Sequence, residues 1–127
     1  MRTLAEYCRK YTGLTAMQCE LLKRINVCIP FIADLAHAHV SVYATANEKG
    51  KLILLAHEKP HTVFYSAQLN DAGTLLSAVE EPLVTYTMQT GKPVRGKREW
   101  TWGSSIDMYT FAIHDGNTVV AVVSFET

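Results

Sequence analysis

The sequence predicts an α+β fold, an α/β sandwich in which an antiparallel sheet carries helices on both faces. Three observations predict it. Apolar residues recur at helical spacing from Leu14 to Leu35, two pairs of β-type segments each bracket a turn signature, and a second helical stretch lies between those pairs. Hairpins need only tight turns and build antiparallel sheet, whereas a doubly wound parallel sheet needs a crossover after each strand. The 127 residues suit one domain around one core, divided into an N-terminal helical segment (1–38) and a sheet with its roofing helix and loop (39–127).

"LAEYCRKY" reads as a short helix stopped by Gly13, and Thr15 opens a new one. Leu14, Met17, Leu21, Ile25, Cys28, Ile32 and Leu35 then line one face of a helix running to Ala36. That face is expected on the sheet. Leu22 and Ile29 widen it enough to serve a dimer mate too, with Leu14, Met17, Leu21, Ile25 and Ile32 as the dimer contacts. Pro30 lacks an N–H and clashes with the preceding turn, so a kink or break is expected there.

After Ala38 the period becomes two. "HVSVYAT" alternates as a half-covered strand, "NEKG" turns on Gly50, and "KLILLAHE" returns. "HTVFYSA" suggests a third short strand, weakened by Pro60 before it. "TLLSAV" reads as a separate helical turn. The main second helix starts near Pro82, ends at Gly91 and is followed by Pro93 as a stop. "KPVRGKREWTWGSS" reads as a polar loop. "IDMYTFAIH" and "NTVVAVVSF" flank Asp115-Gly116 as a closing hairpin, whose apolar run Val119 to Val123 implies a strand covered on both faces. The Pro82 helix and the long loop would roof one side of the sheet and leave room for a pocket.

Charge and cysteines narrow the function. Lys+Arg and Asp+Glu both number 12, which gives no overall field for nucleic acid or a membrane. No apolar stretch is long enough to span a bilayer, and "MRTLAEYCRKY" is too polar for a signal peptide, so a cytoplasmic location is expected. Cys8, Cys19 and Cys28 are odd in number and form no C-x-x-C pair. Three reduced thiols are therefore expected, with neither a disulfide framework nor a zinc site.

No phosphate loop, dinucleotide fingerprint, nucleophile elbow or zinc-protease motif occurs. His37 and His39 have a chelating separation but no cysteine or carboxylate cluster beside them, so a surface or helix-end role is expected. His57 and His61 bracket a Pro-containing turn as solvated residues. No metal or cofactor is expected. Lys92, Arg95, Lys97 and Arg98 either solubilise a loop or hold an anionic group, Arg95 offering a bidentate fork. Trp100 and Trp102 must bury their rings, equally well in a pocket wall or in core. Tyr43, Tyr65 and Tyr109 add aromatic walls if they face one way. The candidate ligand-binding set is thus Tyr43, Tyr65, Arg95, Trp100, Trp102 and Tyr109.

"MQTGKPVRG" resembles the helix exit of GAF domains, and "FAIHDGNTVVAVVSFET" resembles their last hairpin. With "ADLAHAHVSVYA" leading into the first strand and "EEPLVTYTMQTGKPVRG" and "DMYTFAIHDGNTVVAVV" following in order, most of residues 14–127 resembles the N-terminal sensor region of a bacterial histidine kinase family paired with RNA-binding antiterminator response regulators. The order of these segments carries the likeness, because each alone is only structural. GAF and PAS folds both build an antiparallel sheet with flanking helices, and the helix entering the first strand favours GAF.

The resemblance implies a GAF-like sensory domain of a two-component sensor kinase that continues past Thr127, with its transmitter in cis and a response regulator acting on the full-length protein. It implies an unidentified small-molecule ligand and a homodimer, with no direct nucleic-acid or membrane contact. The kinase phospho-acceptor histidine and ATP-binding residues have no counterpart in these residues, so no catalytic residue is expected. A dimerisation module without ligand remains open, as does, last, a small free-standing enzyme.

Overall fold

In a computed structural model that describes residues 3–61, 71–99 and 105–127, three helices flank one sheet. The helices are α1 (Leu4–Tyr11), α2 (Ala16–Ala36) and α3 (Pro82–Thr90). The strands are β1 (His39–Thr45), β2 (Lys51–Glu58), β3 (Leu75–Ser77), β4 (Val94–Glu99), β5 (Ser105–Asp115) and β6 (Thr118–Glu126), ordered β3-β2-β1-β6-β5-β4. Every neighbouring pair is antiparallel. The expected sandwich is thus present, with α1 and α2 on one face and α3 on the other.

Strand alternation distributes the core. Val40, Val42 and Ala44 of β1 face α1 and α2 beside Ile53, Leu55 and Ala121. Tyr43 faces α3 with Leu52, Leu54, Val84, Met108 and Val122. The run Val119 to Val123 divides between the two layers, as a strand with covered faces requires.

Local chemistry sets the helix ends. Thr15 caps α2 in a reciprocal box with Gln18, at 3.1 Å and 3.0 Å. Pro82 opens α3, and Gly91 closes it at φ 73°. A Cβ on Gly91 would also lie 2.9 Å from His114 Cε1, so that site excludes a side chain twice over.

Four expectations change. The segment read as a polar loop is partly β4, paired with β5 from Val94↔Thr110 to Glu99↔Ser105. Its alternation was hidden because charged residues occupy the outward positions and Gly96 an inward one. There a Cβ would stand 2.7 Å from Leu83 Cδ1, so the missing side chain lets α3 approach β4. "TLLSAV" is edge strand β3 followed by a 3₁₀ turn over Ala78–Glu80 rather than one helical turn. The suggested strand in "HTVFYSA" lies, after His61, outside the described residues.

The face of α2 that meets the sheet is also rotated from the expected one. Cys19, Leu22, Ile29 and Ala33 are buried, whereas Met17, Leu21, Phe31 and Leu35 are exposed. Small residues such as Cys19 and Ala33 let a helix sit close to strands, a preference that counting large apolar residues overlooks. Leu14, Ile25 and Ile32 are half-buried along the edge of this core. Helix α2 continues through Pro30. The proline deprives only the Asn26 carbonyl of a donor, and both residues line an open groove of about 370 Å³ between α1, α2 and β2, where water can replace it.

The fourth correction concerns the thiols. Cys8 and Cys19 form a disulfide that joins α1 to α2, with Cα atoms 5.8 Å apart, and only Cys28 is free. The two cysteines are 11 residues apart and meet only because Gly13 and the α2 cap reverse the chain. Closing a loop of that length removes unfolded-state entropy worth about 3 kcal/mol. Urea unfolding of the oxidised chain should therefore give a stability about 3 kcal/mol above the dithiothreitol-treated chain. The double variant Cys8→Ala/Cys19→Ala should ignore the reductant, and equal midpoints for the wild-type chain would show that the bridge contributes nothing.

Candidate functional site

Strand register builds a polar belt beneath α3. His39, Ser41 and Tyr43 of β1 stand opposite Glu126, Ser124 and Val122 of β6. Met108 and Thr110 continue the face on β5, and Gly96 and Arg98 extend it on β4. Glu81, the residue before α3, closes it from above.

Arg98 is the hub. Its Nη1 and Nη2 donate to the Glu81 carboxylate at 3.2 Å and 2.6 Å, and its Nε donates to Glu126 Oε1 at 3.0 Å. Nη2 also lies 3.7 Å from Met108 Sδ. The Glu81 and Glu126 side chains are 11% and 7% exposed, so this ion network is largely withdrawn from water. Burial works against the guanidinium charge, yet the Glu81 hydrogen bonds and the Glu126 charge hold Arg98 protonated more firmly than usual. Burial pushes the Glu126 carboxyl above its ordinary range, and Arg98 opposes that shift. Tyr43 is pushed up to about 12, first by burial and then by Glu81 and Glu126.

His39 sits at the other end of the belt. Its Nε2 lies 3.4 Å from His57 Nδ1, with the rings edge to face. Burial, then the neighbouring His57 and Arg98, pushes its pKa down to about 4, so it is neutral near pH 7. Two buried polar atoms on this face, His39 Nδ1 and Ser124 Oγ, have no hydrogen-bond partner among the described residues. The neighbouring Thr87 and Thr110 hydroxyls pair at 2.6 Å. The unpaired atoms therefore stand out against a local habit of satisfaction. Two carboxylates, one guanidinium and neutral His39 and Tyr43 suit hydrogen-bonded recognition; no three metal-ligating groups converge among the described residues.

The residues expected to bind ligand are dispersed. Tyr43 lies in the α3-side core. Arg95 and Tyr109 pair across β4 and β5, with the Arg95 guanidinium 5.4 Å from the ring centre, on the opposite face of the sheet. Tyr65, Trp100 and Trp102 lie outside the described residues. His37 caps α2 in a left-handed conformation, as a helix-end residue. Far from being merely solvated, His57 touches the buried His39. Arg98 was weighed only as part of a basic loop for an anion and His39 only as a chelator that lacked partners, while Glu81, Glu126 and Ser124 were not singled out for binding. Their signal was alternation: Val122, Ser124 and Glu126 share one side of β6, and Gly96 and Arg98 one side of β4.

Arg98→Met should cost about 3–5 kcal/mol in chemical denaturation, because it strands two buried carboxylates. Lys97→Met, which removes an exposed pair with Asp107, should cost less than about 1 kcal/mol. Equal losses would show that the triad is not a buried network.

The His39 shift predicts a pH dependence. Above pH 6.5 folded and unfolded chains both hold it neutral; from there to about 4 only the unfolded chain takes the proton, so acidification destabilises the fold. Over that window the loss should be on the order of 2 kcal/mol. Glu126, raised by burial, works in the opposite direction at the acid end. His39→Asn should flatten the stability profile between about pH 7 and 5; an unchanged slope would refute the assignment.

A family model for the histidine kinase PdtaS GAF domain matches residues 4–127. Among solved structures, a sensor region of a sensor histidine kinase superposes with TM-score 0.77 at 22% identity, covering 100% of this chain and 43% of that one. An IclR-family transcriptional regulator from Brucella abortus gives TM-score 0.50 at 11% identity, over 80% of this chain and 50% of that one. The chain thus spans less than half of the sensor region it resembles. No curated protein matches it in sequence. Six antiparallel strands between α1/α2 and α3, matched over nearly every residue, place this chain in the GAF domain family of the histidine kinase PdtaS.

Proposed function

We propose that this GAF domain senses a small molecule in the cytoplasm and passes its bound state to a kinase transmitter in the same polypeptide, within a two-component system that ends on a response regulator. The observation carrying this reading is the pair of buried atoms His39 Nδ1 and Ser124 Oγ, which have no partner among the described residues, beside the Arg98 triad on the α3 face. A ligand that gives each a partner recovers the desolvation cost of leaving them unmade, about 1–3 kcal/mol apiece. Phosphoryl transfer belongs to the transmitter, and the domain itself uses neither cofactor nor metal.

The route outward is short. Helix α2 ends at Ala36 and β1 begins at His39, so the belt's first residue follows almost directly on the helix. A ligand that prefers one arrangement of β1 and the roof shifts the helix equilibrium by its differential affinity and no further. A second reading has its own support: Arg98, Glu81 and Glu126 satisfy one another, as in a purely structural module.

Thermal denaturation with a panel of metabolites and nucleotides separates the two. A true ligand raises the midpoint in proportion to its saturation, and the shift should vanish in a His39→Phe/Ser124→Ala variant that still folds. Silence across the panel, with wild-type and variant indistinguishable, would favour the structural module.

A further inference from the structure

The Cys8–Cys19 bridge lies on the far side of the sheet from the belt, and ligand sensing makes no use of it. The core does not need it either. Leu22, Ile29, Val40, Val42, Ile53 and Leu55 are buried together between α2 and the strands, whereas obligatory bridges belong to chains too small to build such a layer. What the bridge adds is a hold on α1. A helix of eight residues does not persist alone, and its remaining ties are noncovalent: Leu4 and Ala5 are buried, Tyr7 packs against Gly73, and the Asn47 N–H donates to the Tyr11 carbonyl at 2.7 Å.

We propose that Cys8–Cys19 is a reversible redox site, opened and closed by thiol–disulfide exchange with a thiol reductant, and that its state decides whether α1 is clamped to α2. The inference rests on the cytoplasmic location proposed above, because a bridge in a reducing compartment is characteristically transient or redox-sensing. It does not depend on a ligand at the belt.

The surroundings suit exchange in a definite order. Cys19 is the fourth residue of α2, in the first turn, where the helix dipole stabilises negative charge on its sulfur, so Cys19 is the better leaving group. A reductant thiolate therefore attacks Cys8 Sγ, the S–S bond breaks, and Cys19 departs with the electron pair and takes up a proton. A second reductant thiol then attacks the mixed disulfide and expels Cys8, which is also protonated. Two electrons and two protons have entered the pair, and the reductant leaves as its own disulfide; closure is the reverse exchange. The Thr12 hydroxyl lies 3.6 Å from Cys8 Sγ and can donate to the departing thiolate, so the opened pair keeps a polar partner inside the core. Both cysteines are buried, so α1 must fray around the bridge before a reductant reaches it, and N-terminal segments are where such opening costs least.

The test equilibrates the 127-residue chain under native conditions with glutathione at changing ratios of reduced to oxidised form, in a Cys28→Ser background that leaves only this pair to react. Maleimide trapping after an acid quench should show the pair passing from bridged to open within the range a reducing compartment spans, and closing again when the ratio is reversed. In the amide NMR spectrum, residues 4–11 should move to random-coil positions on reduction while the strand signals stay in place. Cys8→Ala/Cys19→Ala should give the open spectrum in every buffer. A bridge that stays closed at the most reducing ratio overturns the proposal, as does one that opens without any change in α1 or whose opening collapses the strand signals too. Such a failure leaves ligand sensing standing, since that reading is tested at His39 and Ser124.

Discussion

The Arg98 guanidinium, held between Glu81 and Glu126, is the contact on which the α3 side of this domain depends. The three members of this network come from different parts of the chain: β4 supplies the arginine, β6 one carboxylate and the residue before α3 the other. Glu81 Oε2 at 2.6 Å and Glu126 Oε1 at 3.0 Å fix where β4 lies relative to the centre of the sheet and where α3 begins. A hydrophobic contact would hold these elements together without fixing their register. A forked guanidinium requires both distance and angle, so the network specifies an arrangement more than it adds stability. Gly96 serves the same end by removing a side chain where Leu83 must approach.

On the other side of the sheet the organising constraint is close approach. Cys19 and Ala33 let α2 lie near β1 and β2, and the Cys8–Cys19 bridge fastens α1 to the same helix. Met17, Leu21, Phe31 and Leu35 of the same helix are left facing outward, while Leu22 and Ile29 stay in the core. One helix therefore carries a face of small and large residues toward the sheet and a second apolar stripe away from it. That division explains why the two faces were confused in the sequence. A scale that scores Leu and Met above Ala and Cys overlooks Cys19 and Ala33, which complete the inner face with Leu22 and Ile29.

What was legible in the sequence follows period and punctuation. The β1–β2 and β5–β6 hairpins were readable because Gly50 and Gly116 supply positive φ between apolar runs, and α3 because Pro82 and Gly91 bracket it. Strand β4 was not readable, since "VRGKRE" carries charge on both sides and gains its pairing only once β5 lies beside it. Tertiary context overrides composition at such a strand. The belt was hidden for a related reason: Glu126 and Arg98 look like solvent residues until strand parity turns both toward α3. The bridge between Cys8 and Cys19 was hidden because spacing alone does not reveal that two helices fold back on each other.

Helix α2 and the belt meet at one junction. His37 takes φ 51° and ψ 42° to end α2, the Ala38 N–H returns to the Ala33 carbonyl, and His39 then enters β1 with its ring toward the belt. Such a left-handed cap in a non-glycine residue costs about 1 kcal/mol or more, so it persists only where both flanking elements hold it. Only two residues separate the last turn of a helix with an exposed seam from the first residue of a buried polar row. A flexible linker would absorb a displacement of α2. This cap has little freedom to do so, and a shift of α2 passes to His39, a neutral imidazole whose Nδ1, like Ser124 Oγ, has no hydrogen-bond partner among the described residues. A ligand bound on the belt would therefore act on the same short span of backbone that ends α2.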